Sequence, residues 1–149
     1  MIELKRTNSD NPAFQSLVAK LNLYLAEING DKHDFFMQCN NIDVLNNVIV
    51  IYKNNIPVAC GAIKEYDSKS MEIKRMFVPS EQRRNGYASY VLDELQKWSK
   101  ELGYSKCILE TSKNMTEAVA LYTKHNFQVI PNYGQYANVE SSVCFEKAI

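Results

Sequence analysis

The chain has 149 residues, enough for one domain around one core. Hydrophobic residues make up 46% and charged residues 23%, the balance of an ordinary globular chain, and Lys plus Arg equal Asp plus Glu at 17 each. That neutrality removes the global field that would draw in nucleic acid or an acidic membrane, so any anion site must be local.

No apolar run approaches the length of a membrane span, and the opening "MIELKRTNSD" lacks the apolar region of a signal peptide, so a cytoplasmic location is expected. The four cysteines, Cys39, Cys60, Cys107 and Cys144, form no CxxC pair, and His33 and His125 have no ligand spacing with them. Reduced thiols acting as small hydrophobes are therefore expected, with neither a metal nor a disulfide.

In chain order, "MIELKRT" alternates apolar and polar residues and predicts a first strand. "NPAFQSLVAKLNLYLAEING" predicts a helix, with Pro12 in its first turn and Phe14, Leu17, Val18, Leu21, Tyr24 or Leu25, and Ile28 along its apolar stripe. "DKHDFFMQCN" predicts a second, short helix. "NVIVIY", "IPVACGAIKEY" and "MEIKRMFV" are separated by the turn signals "KNN" and "DSKS" and predict an antiparallel meander.

A helix follows Gly86, with Ala88, Val91, Leu92, Leu95, Trp98 and Leu102 at helical spacing, and ends at Gly103. "KCILET" predicts a buried strand. "NMTEAVALYTKHNF" predicts a helix capped by Asn114 with Glu117 three residues on, and closed by Asn126. "FQVI" and "SSVCFEK" complete the strands. A helix between "MEIKRMFV" and "KCILET" makes those strands parallel neighbours. The expected fold is therefore a mixed α/β sheet in one domain spanning residues 1–149.

The stretch "SEQRRNGYASYVLDEL", residues 80–95, sets two arginines and a glycine at the mouth of a helix. Gly86 lets the backbone approach a ligand, and successive N–H groups ahead of the helix dipole form an anion nest, to which Arg83 and Arg84 add charge. Neither GxxxxGK[ST] nor GxGxxG occurs, so neither a P-loop nor a dinucleotide fingerprint explains the site.

The pattern Arg83-x-x-Gly86-x-Ala88, between a strand and a helix, resembles the acetyl-coenzyme A pyrophosphate loop of the GNAT superfamily of N-acetyltransferases. "MEIKRMFV" resembles that family's splayed fourth strand, "LETSKNMTEAVALYTKHNF" its fifth strand and following helix, and "FQVIPNYGQY…SVCFEK" its closing strands. The close match covers roughly residues 71–130. Ala88 stands where a second glycine is commoner, and Asn126 where glycine usually precedes phenylalanine. The resemblance implies a mostly antiparallel sheet of about six to seven strands, with a splayed parallel pair and about four flanking helices.

It also implies roles. Backbone groups of Met76, Phe77 and Val78 pair with the pantetheine arm. Arg83, Arg84, Asn85, Gly86, Tyr87, Ala88 and Ser89 hold the pyrophosphate, and Asn114 contacts the pantetheine region. Tyr122 matches the tyrosine near the thioester sulfur, a general acid; otherwise it is a core tyrosine beside Leu121. A phenol of pKa about 10 facing a thiol of about 8.5 is mismatched by ~1.5 pH units, or ~2 kcal/mol. Glu72 matches a glutamate that serves some members as base; otherwise it is a solvated charge or a partner of Lys74 or Arg75.

The acceptor pocket is expected between the first two helices and the closing strands, with Tyr24, His33, Phe35 and Phe36 on one side and Tyr133 and Tyr136 on the other. If Lys64, Lys74 or Arg75 faces that pocket, the acceptor carries a carboxylate. The resulting expectation is an acetyl-CoA-dependent N-acetyltransferase of a small-molecule amine, with room for a homodimer. The alternatives are a protein N-terminal or lysine acetyltransferase and a CoA-binding sensor.

Overall fold

The β-branched runs form the middle of one seven-stranded sheet, and the two longest amphipathic segments form helices on its opposite faces. The computed structural model describes residues 1–29 and 44–149. Over these the strands are β1 (Ile2–Thr7), β2 (Asn47–Lys53), β3 (Ile56–Glu65), β4 (Ser70–Phe77), β5 (Lys106–Ser112), β6 (Gln128–Ile130) and β7 (Ser142–Ala148). The helices are α1 (Pro12–Asn29), α2 (Tyr87–Glu101) and α3 (Thr116–Lys124). These three stand against the four expected. The short helix predicted over "DKHDFFMQCN", with His33, Phe35, Phe36 and Cys39, lies outside the described residues.

The strand order is β1-β2-β3-β4-β5-β7-β6. All neighbours are antiparallel except β4 and β5, which run parallel. That pair stays in register only from Ser70 opposite Lys106 to Glu72 opposite Ile108. Beyond Glu72 the two strands diverge, as the resemblance implies, and a cleft opens through the sheet.

A β-bulge sits just past this point. Ala62 pairs with Lys74 but Cys60 pairs with Phe77, so Gly61 alone faces two residues, Arg75 and Met76. Arg75 takes a left-handed φ of 60° and its carbonyl accepts from Cys60 Sγ at 3.3 Å. The extra residue reverses the alternation of β4. Met71 and Ile73 pack in the cluster that includes Val91, Leu92 and Leu95 of α2, whereas Phe77 packs with Phe14, Leu17 and Leu21 of α1. Met76 turns to the α2 side, and an added Cβ on Gly61 would lie 2.7 Å from its Sδ.

Of the stripes that the spacing predicts, α1 buries Phe14, Leu17 and Leu21, α2 buries Val91, Leu92 and Leu95, and α3 buries Tyr122. Full burial of Val91, Leu92 and Leu95 contributes roughly 1.5–3 kcal/mol per side chain. Leu102, at the end of the expected α2 stripe, is exposed instead, because the helix has already stopped at Glu101. Asn11 caps α1, its Oδ1 accepting from the Phe14 N–H at 3.0 Å. The cap predicted at Asn114 does not form. The Asn114 N–H donates to Ser112 Oγ at 3.2 Å, Met115 takes the cap position, and no side chain caps α3. Asn126 is left-handed at φ 69°, as expected of the residue that ends this helix. Cys60, Cys107 and Cys144 are buried free thiols.

Candidate active site

Two cavities meet in the cleft between β4 and β5. The larger, of about 400 Å³, lies between the loop before α2 and the start of α3. The smaller, of about 110 Å³, opens on the α1 face of the sheet. Both are lined by Met76, Met115, Ala118 and Tyr122, so one short wall separates them.

The larger cavity collects the residues expected around the cofactor. Met76, Phe77, Val78, Arg83, Arg84, Gly86, Tyr87, Ala88, Ser89 and Asn114 all line it. Arg84 and Gly86 have left-handed φ angles of 67° and 78°. A Cβ on Gly86 would meet nothing within 4 Å, so the glycine is required by its backbone angle and not by crowding. No side chain caps α2, and its first internal hydrogen bond runs from the Tyr90 N–H to the Gly86 carbonyl. The preceding first-turn N–H groups are therefore left to an incoming anion, and the site fits a phosphate group.

Asn85 is not part of that lining. Its Nδ2 donates to the Gln82 and Arg83 carbonyls at 3.0 and 3.4 Å, which tightens the loop. Arg83 is held by the protein: its Nε donates to the Val78 carbonyl at 3.1 Å, its guanidinium sits 5.0 Å from the Tyr24 ring centre, and Nη1 is 3.8 Å from Glu117. Ser89 Oγ lies 3.0 Å from Nε2 of His125, whose Nδ1 is 3.3 Å from Asp93, so α3 steadies the first turn of α2.

The smaller cavity is where an acceptor was expected, and its walls differ from the expectation. Tyr136 lines it. Tyr24 does not, and belongs to the larger cavity, where it stands between Phe77 and Arg83. Tyr133 does not line it either, and its hydroxyl donates to Glu72 Oε2 at 2.6 Å. His33 lies outside the described residues. Lys74 and Arg75 line this cavity, whereas Lys64 is exposed and stands outside it.

Glu110 is the feature that sequence reading missed. It projects from β5 into the same cavity as Glu72 and accepts a hydrogen bond from Ser142 Oγ at 2.5 Å. Burial pushes its carboxyl up to about 7. The Ser142 hydrogen bond opposes that rise, Glu72 adds to it and Lys74 opposes it. The signal was present as a glutamate directly after the apolar run "CIL" in a strand expected to be buried, where an unpaired charge is rare.

Tyr122 is buried at 5% exposure and packs edge-on to Phe127. Burial, and then the Glu110 charge, raise its phenol above the ordinary tyrosine range. The mismatch with a thiolate is therefore wider than the ~1.5 pH units of unperturbed groups. A phenol raised in this way keeps its proton at neutral pH.

Comparison with known proteins agrees with this architecture. The acetyltransferase (GNAT) family model matches residues 14–127, and the chain belongs to that family. It is 32% identical over 92 residues to the uncharacterized N-acetyltransferase YsnE of Bacillus subtilis, a match covering 60% of this chain and 61% of that protein. It is 24% identical over 152 residues to an IAA acetyltransferase of Azospirillum brasilense, covering 99% of this chain and 98% of the relative. A crystal structure of a GNAT family acetyltransferase from Elizabethkingia anophelis with acetyl-CoA bound superposes with a TM-score of 0.73 at 16% identity, covering 99% and 98% of the two chains. Among the described residues, no helix is long and apolar enough to cross a membrane, and no group of three or more His, Cys, Asp or Glu could hold a metal ion.

Proposed function

We propose that this protein transfers an acetyl group from acetyl-CoA to the primary amine of a small molecule, with both substrates bound at once. The observation that carries this reading is the meeting of two cavities at Tyr122, one ending in an uncapped helix N-terminus and the other holding two carboxylates. The likeness to a protein with acetyl-CoA bound supports the choice of donor. The small volume of the second cavity favours a small acceptor over a folded protein substrate.

Acetyl-CoA supplies an activated thioester when bound. The first-turn N–H groups of α2 and the Arg84 side chain hold its phosphates, and the β4 backbone at Met76 and Val78, freed from β5, pairs with its extended arm. The amine arrives as an ammonium and must lose a proton. Glu72 and Glu110 both face it. Glu110, raised to about 7, is suited to take that proton, with Glu72 on the same wall. A backbone N–H of the splayed strand stabilises the carbonyl oxygen as charge develops on it. Tyr122 donates a hydrogen bond where thiolate charge appears. Lys74 and Arg75, on the same wall, suit an acceptor that also carries a carboxylate.

The test is thiol release from acetyl-CoA against primary amines with and without a carboxylate, run beside a melting curve with CoA. Saturation at about 100 times the dissociation constant raises stability by about 2.7 kcal/mol. Turnover with one amine class is the expected result. CoA binding without turnover across the panel would favour a sensor instead, and the absence of both would remove the donor site.

A further inference from the structure

Tyr136 brings the segment between β6 and β7 onto the smaller cavity, and two hydroxyls, one in that segment and one at the start of β7, make parallel contacts. Tyr133 Oη donates to Glu72 Oε2 at 2.6 Å, and Ser142 Oγ donates to Glu110 Oε2 at 2.5 Å. In each carboxylate it is Oε2 that accepts from the hydroxyl. Glu72 is 9% exposed and Ser142 1% exposed, so neither arrangement is a passing surface contact.

The Tyr133 ring is fixed independently of its hydroxyl. It stands edge-on to Tyr66 at 5.1 Å and to Tyr136 at 5.9 Å, and Gly134 beside it approaches the Tyr66 ring. The hydroxyl therefore reaches Glu72 from a ring that two other aromatic rings pack against. Glu72 and Glu110 stand on the same face of adjacent strands where those strands part, two positions apart by register. Lys74, on the same wall, offsets part of their charge.

We propose that Tyr133 is a positioning residue: by holding Oε2 of Glu72, and with Ser142 doing the same for Glu110, it turns the two remaining carboxylate oxygens onto the acceptor's ammonium, so that the site selects amines that are charged when they bind. This rests on the reading of the smaller cavity as the acceptor site. It deepens that reading by naming the substrate class, aliphatic primary ammonium compounds as opposed to neutral arylamines.

The experiment measures binding, not turnover. The whole protein is saturated with CoA, and 4-aminobutyrate or 4-aminobenzoate is titrated in by calorimetry. Both carry a carboxylate, but only the first carries an ammonium at neutral pH. The wild-type protein is expected to prefer 4-aminobutyrate by about tenfold or more. Tyr133→Phe, which retains the ring and its packing, is expected to lose about tenfold for 4-aminobutyrate, to leave 4-aminobenzoate and CoA affinities unchanged, and to melt as the wild type does. Ser142→Ala provides a second variant with the same expectation. Equal binding of the two amines, or an unchanged 4-aminobutyrate affinity in both variants, overturns the proposal. So does a parallel loss of CoA affinity, which marks a merely structural role. Selective binding without acetyl transfer would sink the transferase reading while leaving this one standing.

Discussion

Gly61 and Met76 touch at the point where β3 and β4 fall out of step. A Cβ on Gly61 would lie 2.7 Å from Met76 Sδ, 2.7 Å from Val91 Cγ1 and 2.9 Å from Leu95 Cδ1. The methionine sulfur can yield, but the two aliphatic groups belong to fully buried residues of α2. Gly61→Ala is therefore expected to cost about 1–3 kcal/mol, seen as a lower urea midpoint at unchanged slope. Because Met76 lines both cavities, activity should fall as well. An alanine variant as stable as the parent would mean that the helix is free to move away.

Gly86 presents the opposite case. Space around it is open, and only its φ of 78° demands glycine. Gly86→Ala is expected to lose about 1–2 kcal/mol from the left-handed backbone alone, with weaker CoA binding. Gly86→Asn should lose less, since asparagine tolerates that region. Melting curves of the two variants with and without CoA separate the backbone cost from the ligand effect.

Tyr122→Phe keeps the packing against Phe127 and Phe145 and removes only the hydroxyl. Turnover should fall by about 10²-fold while the dissociation constant for CoA stays the same. A fall of less than about threefold would return Tyr122 to the status of a core tyrosine, a reading that its burial alone equally suits.

Glu110 carries a pH signature. Its carboxyl is raised to about 7 in the fold against an ordinary value of 4.5, so the folded state binds a proton more readily than the unfolded chain. Its contribution to stability is full below about pH 4.5 and is lost as pH rises through about 7, up to ~3 kcal/mol in all. Glu110→Gln should abolish that slope and leave the protein more stable than its parent at pH 8. The acidic limb of kcat/KM should rise through the same region and vanish in the variant. A flat stability profile in the wild type would show that water reaches the carboxyl.

The order of strands and helices is legible because the β-branched run "NVIVIY" and the helical spacing of Val91, Leu92 and Leu95 are local signals. The anion loop was legible for the same reason, because a glycine with left-handed φ and the helix that follows it are neighbours in the chain. What escaped depends on contacts between distant segments. Glu110 looked like part of a buried strand until Ser142 and Glu72 were found beside it. The spacing of Tyr133 does not show that its hydroxyl donates to Glu72, 61 positions earlier. The cap expected at Asn114 failed because the turn after β5 tightens onto Ser112 and delays the helix to Thr116. Tyr24 was assigned to the wrong cavity because a helical stripe tells which side faces the sheet, not which end of the cleft it reaches.

The bulge at Arg75 decides which face each later side chain of β4 takes. An apolar exchange at Ile73 or Phe77 leaves each side chain on its own face and is absorbed by local repacking. Deleting Arg75 would remove the bulge and its left-handed residue while Met76 and Phe77 keep their faces. Drawing Arg75 into the ladder at unchanged length would instead send Met76 toward α1 and Phe77 toward α2, and empty the wall shared by the two cavities. The two faces of the strand thus depend on one left-handed residue standing outside the ladder.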